Sequence, residues 1–256
     1  MRKTLLSPSV FRPIGYFYRH SKITSKSAKP EKANSTVLLM SGCVQPSLAP
    51  NINHTIKNVL SKLNIEVLES SQSQCCGALD QHLSATDDAL KKVKRNIDHW
   101  TQQLESGLES IISSASGCGV MIKDYPKLFK SSDPYFQKAL FVSSKTKDIA
   151  EFLSTRDLSG LNLSELNVTY HEPCTMQHGQ ELGGLVESIL SQFGYIKKTV
   201  KDSHICCGSA GAYSIFETKI FRPSVRIFIS NVSCRFCIRF CIGVNVSLPL
   251  CPTLFS

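Results

Sequence analysis

Six cysteines fall into a pattern that occurs twice. Cys43 precedes Cys75-Cys76-Gly77 by 32 positions, and Cys174 precedes Cys206-Cys207-Gly208 by the same 32. Each member of the second set lies 131 residues after its counterpart. Thiolates that converge from separate loops bind tetrahedral zinc or an iron–sulfur cluster. Zinc sites favour two close C-x-x-C knuckles, which these two sets lack. An adjacent Cys-Cys followed by glycine, with distant single cysteines, fits a larger multi-iron object touched from several loops. Buried, inert cysteine is the bland alternative for an isolated residue. A lone nucleophilic cysteine does not explain three per set. The chain has 11 cysteines in 256 residues. Its opening Met1-Arg-Lys-Thr-Leu-Leu-Ser-Pro8 lacks the apolar stretch of a secretion signal, so a disulfide scaffold is the weaker reading. That opening is basic, Ser-rich and free of acid, and loosely imitates an organelle transit peptide.

The elements that must position these thiols repeat as well. Thr36 to Met40 reads as a buried strand ending at Ser41-Gly42-Cys43. Asn51 is the expected cap of a helix with Ile52, Ile56, Val59, Leu60 and Leu63 on one face. Ile65 to Leu68 is a second strand leading into Cys75-Cys76-Gly77. Ala85 to Leu104 is an amphipathic helix, with Leu90, Val93, Ile97, Trp100 and Leu104 in its core stripe. Ser110 to Ser113 is a third strand, ending in Ser116-Gly117-Cys118-Gly119. In the second unit Val168 to His171 and Tyr195 to Val200 read as strands and Gln180 to Phe193 as a helix. Strands alternating with helices predict an α/β fold: tandem cysteine-rich repeats, each a small parallel-sheet unit, with the second incomplete. Loops at the carboxyl ends of such strands converge on one edge, so Cys43, Cys75, Cys76 and Cys118 can meet.

Charge narrows the partner. The net charge is +9, but residues 1–30 hold seven Lys/Arg and no acid, and residues 218–256 hold five and no acid. The body, 31–217, has 17 basic residues against 20 acidic ones. A slightly acidic body is not a phosphate-binding face, so no nucleic-acid partner is expected. Lys91-Lys-Val-Lys-Arg95 reads as a solvated helix face. No run of eighteen apolar residues is present, which leaves no expected membrane-spanning helix.

Six segments carry a resemblance. They are Gly42-Cys-Val-Gln-Pro-Ser-Leu-Ala-Pro-Asn-Ile-Asn53, Cys75-Cys-Gly-Ala-Leu-Asp-Gln-His82, Arg95-Asn-Ile-Asp98, Ala115-Ser-Gly-Cys-Gly119, Tyr170-His-Glu-Pro-Cys174 and Cys206-Cys-Gly-Ser-Ala-Gly-Ala-Tyr-Ser214. Together they resemble the tandem cysteine-rich "CCG" domain of iron–sulfur electron-transfer subunits. Those include heterodisulfide reductase B subunits, lactate-utilisation proteins, anaerobic glycerol-3-phosphate dehydrogenase C subunits and, above all, glycolate oxidase (glycolate dehydrogenase) iron–sulfur subunits. The resemblance implies an iron–sulfur cluster of the [4Fe-4S] type on Cys43, Cys75, Cys76, Cys118, Cys174, Cys206 and Cys207. It implies electrons received from a flavoprotein subunit, which carries the FAD and oxidises a 2-hydroxy acid such as glycolate. They would pass toward a membrane acceptor, from a cytoplasmic protein peripheral to the inner membrane. Family members also carry a ferredoxin-like domain with two C-x-x-C-x-x-C-x-x-x-C-P runs; none is in this sequence, so a separate ferredoxin-like chain is a candidate partner.

The expected division is a basic linker remnant over 1–34, repeat 1 over 35–160, a truncated repeat 2 over 165–217 and a tail over 218–256. The tail has no acid and reads as non-homologous or out-of-frame sequence, although Cys234, Cys237 and Cys241 have ligand-like spacing. Pro249 stands 131 residues after Cys118, with Cys251 nearby. Met121 occupies the place where heterodisulfide-type members have a further cysteine. His82, His171 and His178 lie near the cysteines as secondary candidates. A heterodisulfide-reductase-like or zinc-binding module, or a nonfunctional truncated fragment, is the alternative.

Overall fold

The computed structural model describes residues 30, 32–69, 75–161, 167–194, 196–198, 238–240 and 244–246. Strand β1 (Ser35–Leu39) leads through the short helix α1 (Gln45–Leu48) to α2 (Asn51–Lys62) and β2 (Ile65–Glu69). Past Cys75-Cys76 come α3 (Ala78–His82), α4 (Thr86–Glu105), β3 (Ser110–Ser113) and α5 (Ser116–Lys123). A 3-10 turn (Tyr125–Leu128), α6 (Pro134–Lys145), β4 (Thr146–Asp148) and α7 (Ile149–Ser154) follow. These four strands form one parallel sheet in the order β2-β1-β3-β4, as the alternating sequence pattern predicts.

Both faces of the sheet are covered, which is why its central strands carry the apolar runs Val37–Leu39 and Ile111-Ile112. Val37 and Leu39 face Ile52, Ile56 and Leu60 of α2, together with Ile112 and Phe152. Leu38 and Met40 face Val93, Ile97 and Trp100 of α4, with Ile111, Ile122 and Tyr125. The chain steps from β1 out to β2, then reverses to reach β3 on the other side of β1. Right-handed crossovers run in opposite directions place their helices on opposite faces, and the two core clusters divide that way.

The second unit repeats the opening of the first. β5 (Asn167–Thr169) is followed by a π-helical turn (Thr175–Gly179), α8 (Leu185–Gln192) and β6 (Ile196–Lys198). β5 pairs with β6 in parallel, Asn167 opposite Ile196, as β1 pairs with β2, Ser35 opposite Ile65. In the tail, β7 (Ile238–Phe240) and β8 (Val244–Val246) form an antiparallel pair.

Three local expectations need correction. Pro50, not Asn51, occupies the cap position of α2, with no side-chain cap bond; its fixed φ suits a helix start. The helix expected from Gln180 begins only at Leu185, because Gly184 before it is left-handed at φ +77. Gln180 stands outside the helix, buried. Cys118 sits not in a loop but in the first turn of α5.

Candidate metal centre

Strand order reverses at β1, and open α/β sheets take ligands outside the carboxyl ends of strands at such a point. Three segments enter that crevice. The chain leaving β1 brings Cys43, turned by Gly42 at φ +77. The segment between β2 and α3 brings Cys75 and Cys76, and α5 brings Cys118. Their sulfurs run in a chain of contacts: Cys43 to Cys75, Cys75 to Cys76, Cys76 to Cys118. The last pair is 3.2 Å apart. Cys43 is exposed, Cys75 and Cys118 are half-buried, and Cys76 is 2% exposed. The row is most buried at Cys76, where Met121 packs in the same cluster as Cys76 and Cys118.

The thiols divide their proton affinity unequally. Thiol hydrogen bonds from Cys43 and Cys76 hold Cys75 far below the ordinary thiol range, helped by the Gly77 N–H and the Lys92 charge against the effect of burial. Cys43 is raised, first by the proton it shares with Cys75, then by burial and by the charge of its neighbours. Cys76 is raised through its hydrogen bonds with Cys118 and Cys75 and by burial. Sulfurs this close ionise together only when a cation compensates them; among the described residues no three such donors are grouped to hold one metal ion, so the extended set fits a larger thiolate-liganded group rather than a single ion.

A buried framework holds the double cysteine from behind. Asn96 Nδ2 donates to the Cys75 carbonyl at 2.8 Å and to the Tyr125 hydroxyl at 3.0 Å. The Tyr125 hydroxyl donates to the Cys76 carbonyl at 3.0 Å. Burial raises the Tyr125 phenol well above its usual range, which keeps it a neutral donor. The Trp100 ring stacks on Tyr125 with centroids 6.2 Å apart. On the other side, Gln45 Nε2 donates to Asn53 Oδ1 (2.6 Å) and Ser114 Oγ (2.8 Å), and Asn53 Nδ2 donates to the Ser41 carbonyl (3.1 Å). This second network ties the Cys43 turn to the turn before α5.

Gly77 turns the chain directly after the double cysteine. It caps α3 at φ +88, and a Cβ there would lie 3.3 Å from the Ala89 carbonyl oxygen. Gly77→Ala is expected to lower stability by about 1–2 kcal/mol through the left-handed backbone alone. A urea denaturation midpoint equal to wild type would show that the turn tolerates a side chain.

In the second unit, Cys174 immediately precedes the π-helical turn. Its neighbour Thr175 hydrogen-bonds Ser116, the first residue of the helix that carries Cys118, at 2.7 Å. Gln180 Nε2 donates to the Ser116 carbonyl at 3.1 Å, and a Cβ at Gly119 would strike Gln180 at 2.8 Å. The turn holding Cys174 is thus seated on the cysteine helix of the first unit. Cys206 and Cys207, and the tail cysteines, lie outside the described residues.

The secondary candidates separate. His82 ends α3 exposed, and the cap position of α4 belongs to Ala85 without a side-chain bond. His178 is exposed and His171 buried. Trp100 is fully buried, as its place in the helical stripe predicts. Lys92 departs from the solvated-face reading: it is partly buried in an ion pair with Asp80. Asn96 was detectable as a polar residue on the apolar stripe of α4; nothing in the local sequence marks Tyr125 as its partner.

Residues 37–123 and 168–235 match the cysteine-rich domain (CCG) family; the second segment runs past the boundary expected at 217. The chain is 36% identical over 87% of its length to the glycolate oxidase iron-sulfur subunit of Escherichia coli (strain K12), of which it spans 58%. It is 25% identical over 77% of its length to a probable glycolate oxidase iron-sulfur subunit of Bacillus subtilis (strain 168), spanning 44% of that protein. Lactate utilization protein A of the same strain is 24% identical over 74% of the chain, which spans 79% of it. Among the described residues no helix is long and apolar enough to cross a membrane.

Proposed function

This chain belongs to the cysteine-rich domain family, and from that premise we propose that it is an iron–sulfur electron-transfer protein of a 2-hydroxy-acid dehydrogenase complex. The observation that carries the reading is the row of four sulfurs, Cys43, Cys75, Cys76 and Cys118, at the reversal point of the sheet. When bound, a cluster of the [4Fe-4S] type supplies reversible uptake of an electron. The four thiolates would hold it, and Cys174, Cys206 and Cys207 would begin a second set in the repeat from residue 165. An extended row of sulfurs, with no three donors grouped to hold one ion among the described residues, suits a multi-iron group better than one zinc ion, which draws four ligands to about 2.3 Å.

The protein's own residues tune rather than transform. Asn96 and Tyr125 hold the backbone of the double cysteine, which fixes sulfur positions through their carbonyls. Burial of Cys76 excludes water from the inner end of the site, while exposed Cys43 leaves the outer end open to an electron partner. Substrate oxidation belongs to a flavoprotein subunit carrying FAD, with glycolate the favoured substrate, and electrons leave toward a membrane acceptor. The protein would work in the cytoplasm, at the inner membrane surface.

The test is anaerobic co-expression of the full chain with a flavoprotein of the 2-hydroxy-acid dehydrogenase type. A brown complex whose visible absorption bleaches on adding glycolate is expected. A colourless protein with stoichiometric zinc supports a zinc-binding module instead, and absence of iron and of co-purification supports a nonfunctional fragment.

A further inference from the structure

Lys92 is the neighbour in sequence of Val93, whose side chain a Cβ at Gly77, next to Cys76, would meet at 3.4 Å. It projects from α4, the helix whose Ala89 carbonyl lies against Gly77. Its ammonium is ion-paired with Asp80, a carboxylate on α3 that is 7% exposed. α3 begins directly after Cys75-Cys76-Gly77, so the pair bridges the two helices that flank the double cysteine. Burial lowers the proton affinity of Lys92, but the bond to Asp80 and the charge of Cys75 outweigh it and the net shift is upward. A long lysine on a charged helix face would ordinarily stay in water; here a buried acid draws one member of Lys91-Lys-Val-Lys-Arg95 inward.

We propose that the Lys92–Asp80 pair sets the reduction potential of the metal group held by Cys75, with Lys92 as a positioning charge that favours the reduced form. The inference rests on the proposed iron–sulfur function. Adding one electron makes a thiolate-liganded cluster more negative, and a fixed ammonium beside it stabilises that state relative to the oxidised one. The proton inventory does not change: Lys92 remains charged in both states, and only the electron moves. Asp80 opposes the effect by its own charge, and an asparagine in its place removes that charge while its amide oxygen still accepts from the ammonium. The two residues therefore act with opposite signs on one equilibrium.

The test is a redox titration of the anaerobically isolated full chain, followed by electron paramagnetic resonance, in wild type, Lys92→Met, Lys92→Arg and Asp80→Asn. Lys92→Met is expected to disfavour reduction about tenfold, a fall of 59 mV for a one-electron couple. Lys92→Arg should keep the wild-type potential, and Asp80→Asn should raise it. A merely structural role would lower or leave both charge variants alike, so shifts of the same sign, or an unmoved potential in Lys92→Met, overturn the proposal. If Lys92→Met loses its cluster, the sign of the Asp80→Asn shift decides. A wild-type chain without iron sinks the parent function as well; iron with an unmoved potential sinks only this inference.

Discussion

Cys76→Ser is expected to abolish retention of iron, with at least a tenfold loss of visible sulfur-to-iron absorption per chain, while the far-ultraviolet circular dichroism stays that of the wild type. Cys76 is the hinge of the sulfur row, bonded on one side to Cys75 and on the other to Cys118. It is also the most buried of the four, so no water can replace its sulfur. A serine hydroxyl is a hard, high-pKa ligand and does not substitute for a soft thiolate. The size change is small, and Tyr125 would still hold the residue 76 carbonyl, so the fold should survive. Iron content and absorption measured in parallel decide it: a Cys76→Ser protein with full iron and colour would mean that the metal sits elsewhere.

Trp100→Ala is expected to destabilise the chain by about 3–5 kcal/mol, the cost of emptying a large aromatic site in a packed core. Trp100 lies on the apolar stripe of α4, fully buried in the cluster that includes Leu38 and Ile111 of the sheet. Its ring supports Tyr125, whose hydroxyl fixes the Cys76 carbonyl, so a core substitution reaches the metal centre through one stacked neighbour. Tyr125→Phe is the informative comparison. It keeps the ring, but leaves the Cys76 carbonyl and one Asn96 bond unpaired, costing about 1–3 kcal/mol. Guanidinium denaturation of both variants checks the order; a Trp100→Ala midpoint at or above that of Tyr125→Phe would show that the stack carries little of the support.

The sequence made the sulfur pattern legible because repeat spacing survives without any knowledge of contacts, and the same holds for strands β1 to β3. The apolar runs of β1 and β3, buried on both faces, the shorter apolar signal of the edge strand β2 and the helical stripe of α4 speak locally. β4 does not: Thr146-Lys-Asp148 has no apolar run, and only its parallel pairing with β3 makes it a strand. The supports of the site were hidden for a related reason. Asn96 and Tyr125 lie 29 residues apart, and Gln45 reaches Ser114 across 69, so their meaning exists only after folding. Lys92 shows the converse failure. A run of basic residues on a helix looks uniformly solvated until a buried Asp80 selects one of them.

Iron K-edge X-ray absorption on the anaerobically isolated full chain, with acid-labile sulfide measured on the same sample, reaches the centre of this account. Iron surrounded by sulfur alone, together with labile sulfide, is the predicted result. Stoichiometric zinc without sulfide, or iron bound by nitrogen and oxygen, would contradict it.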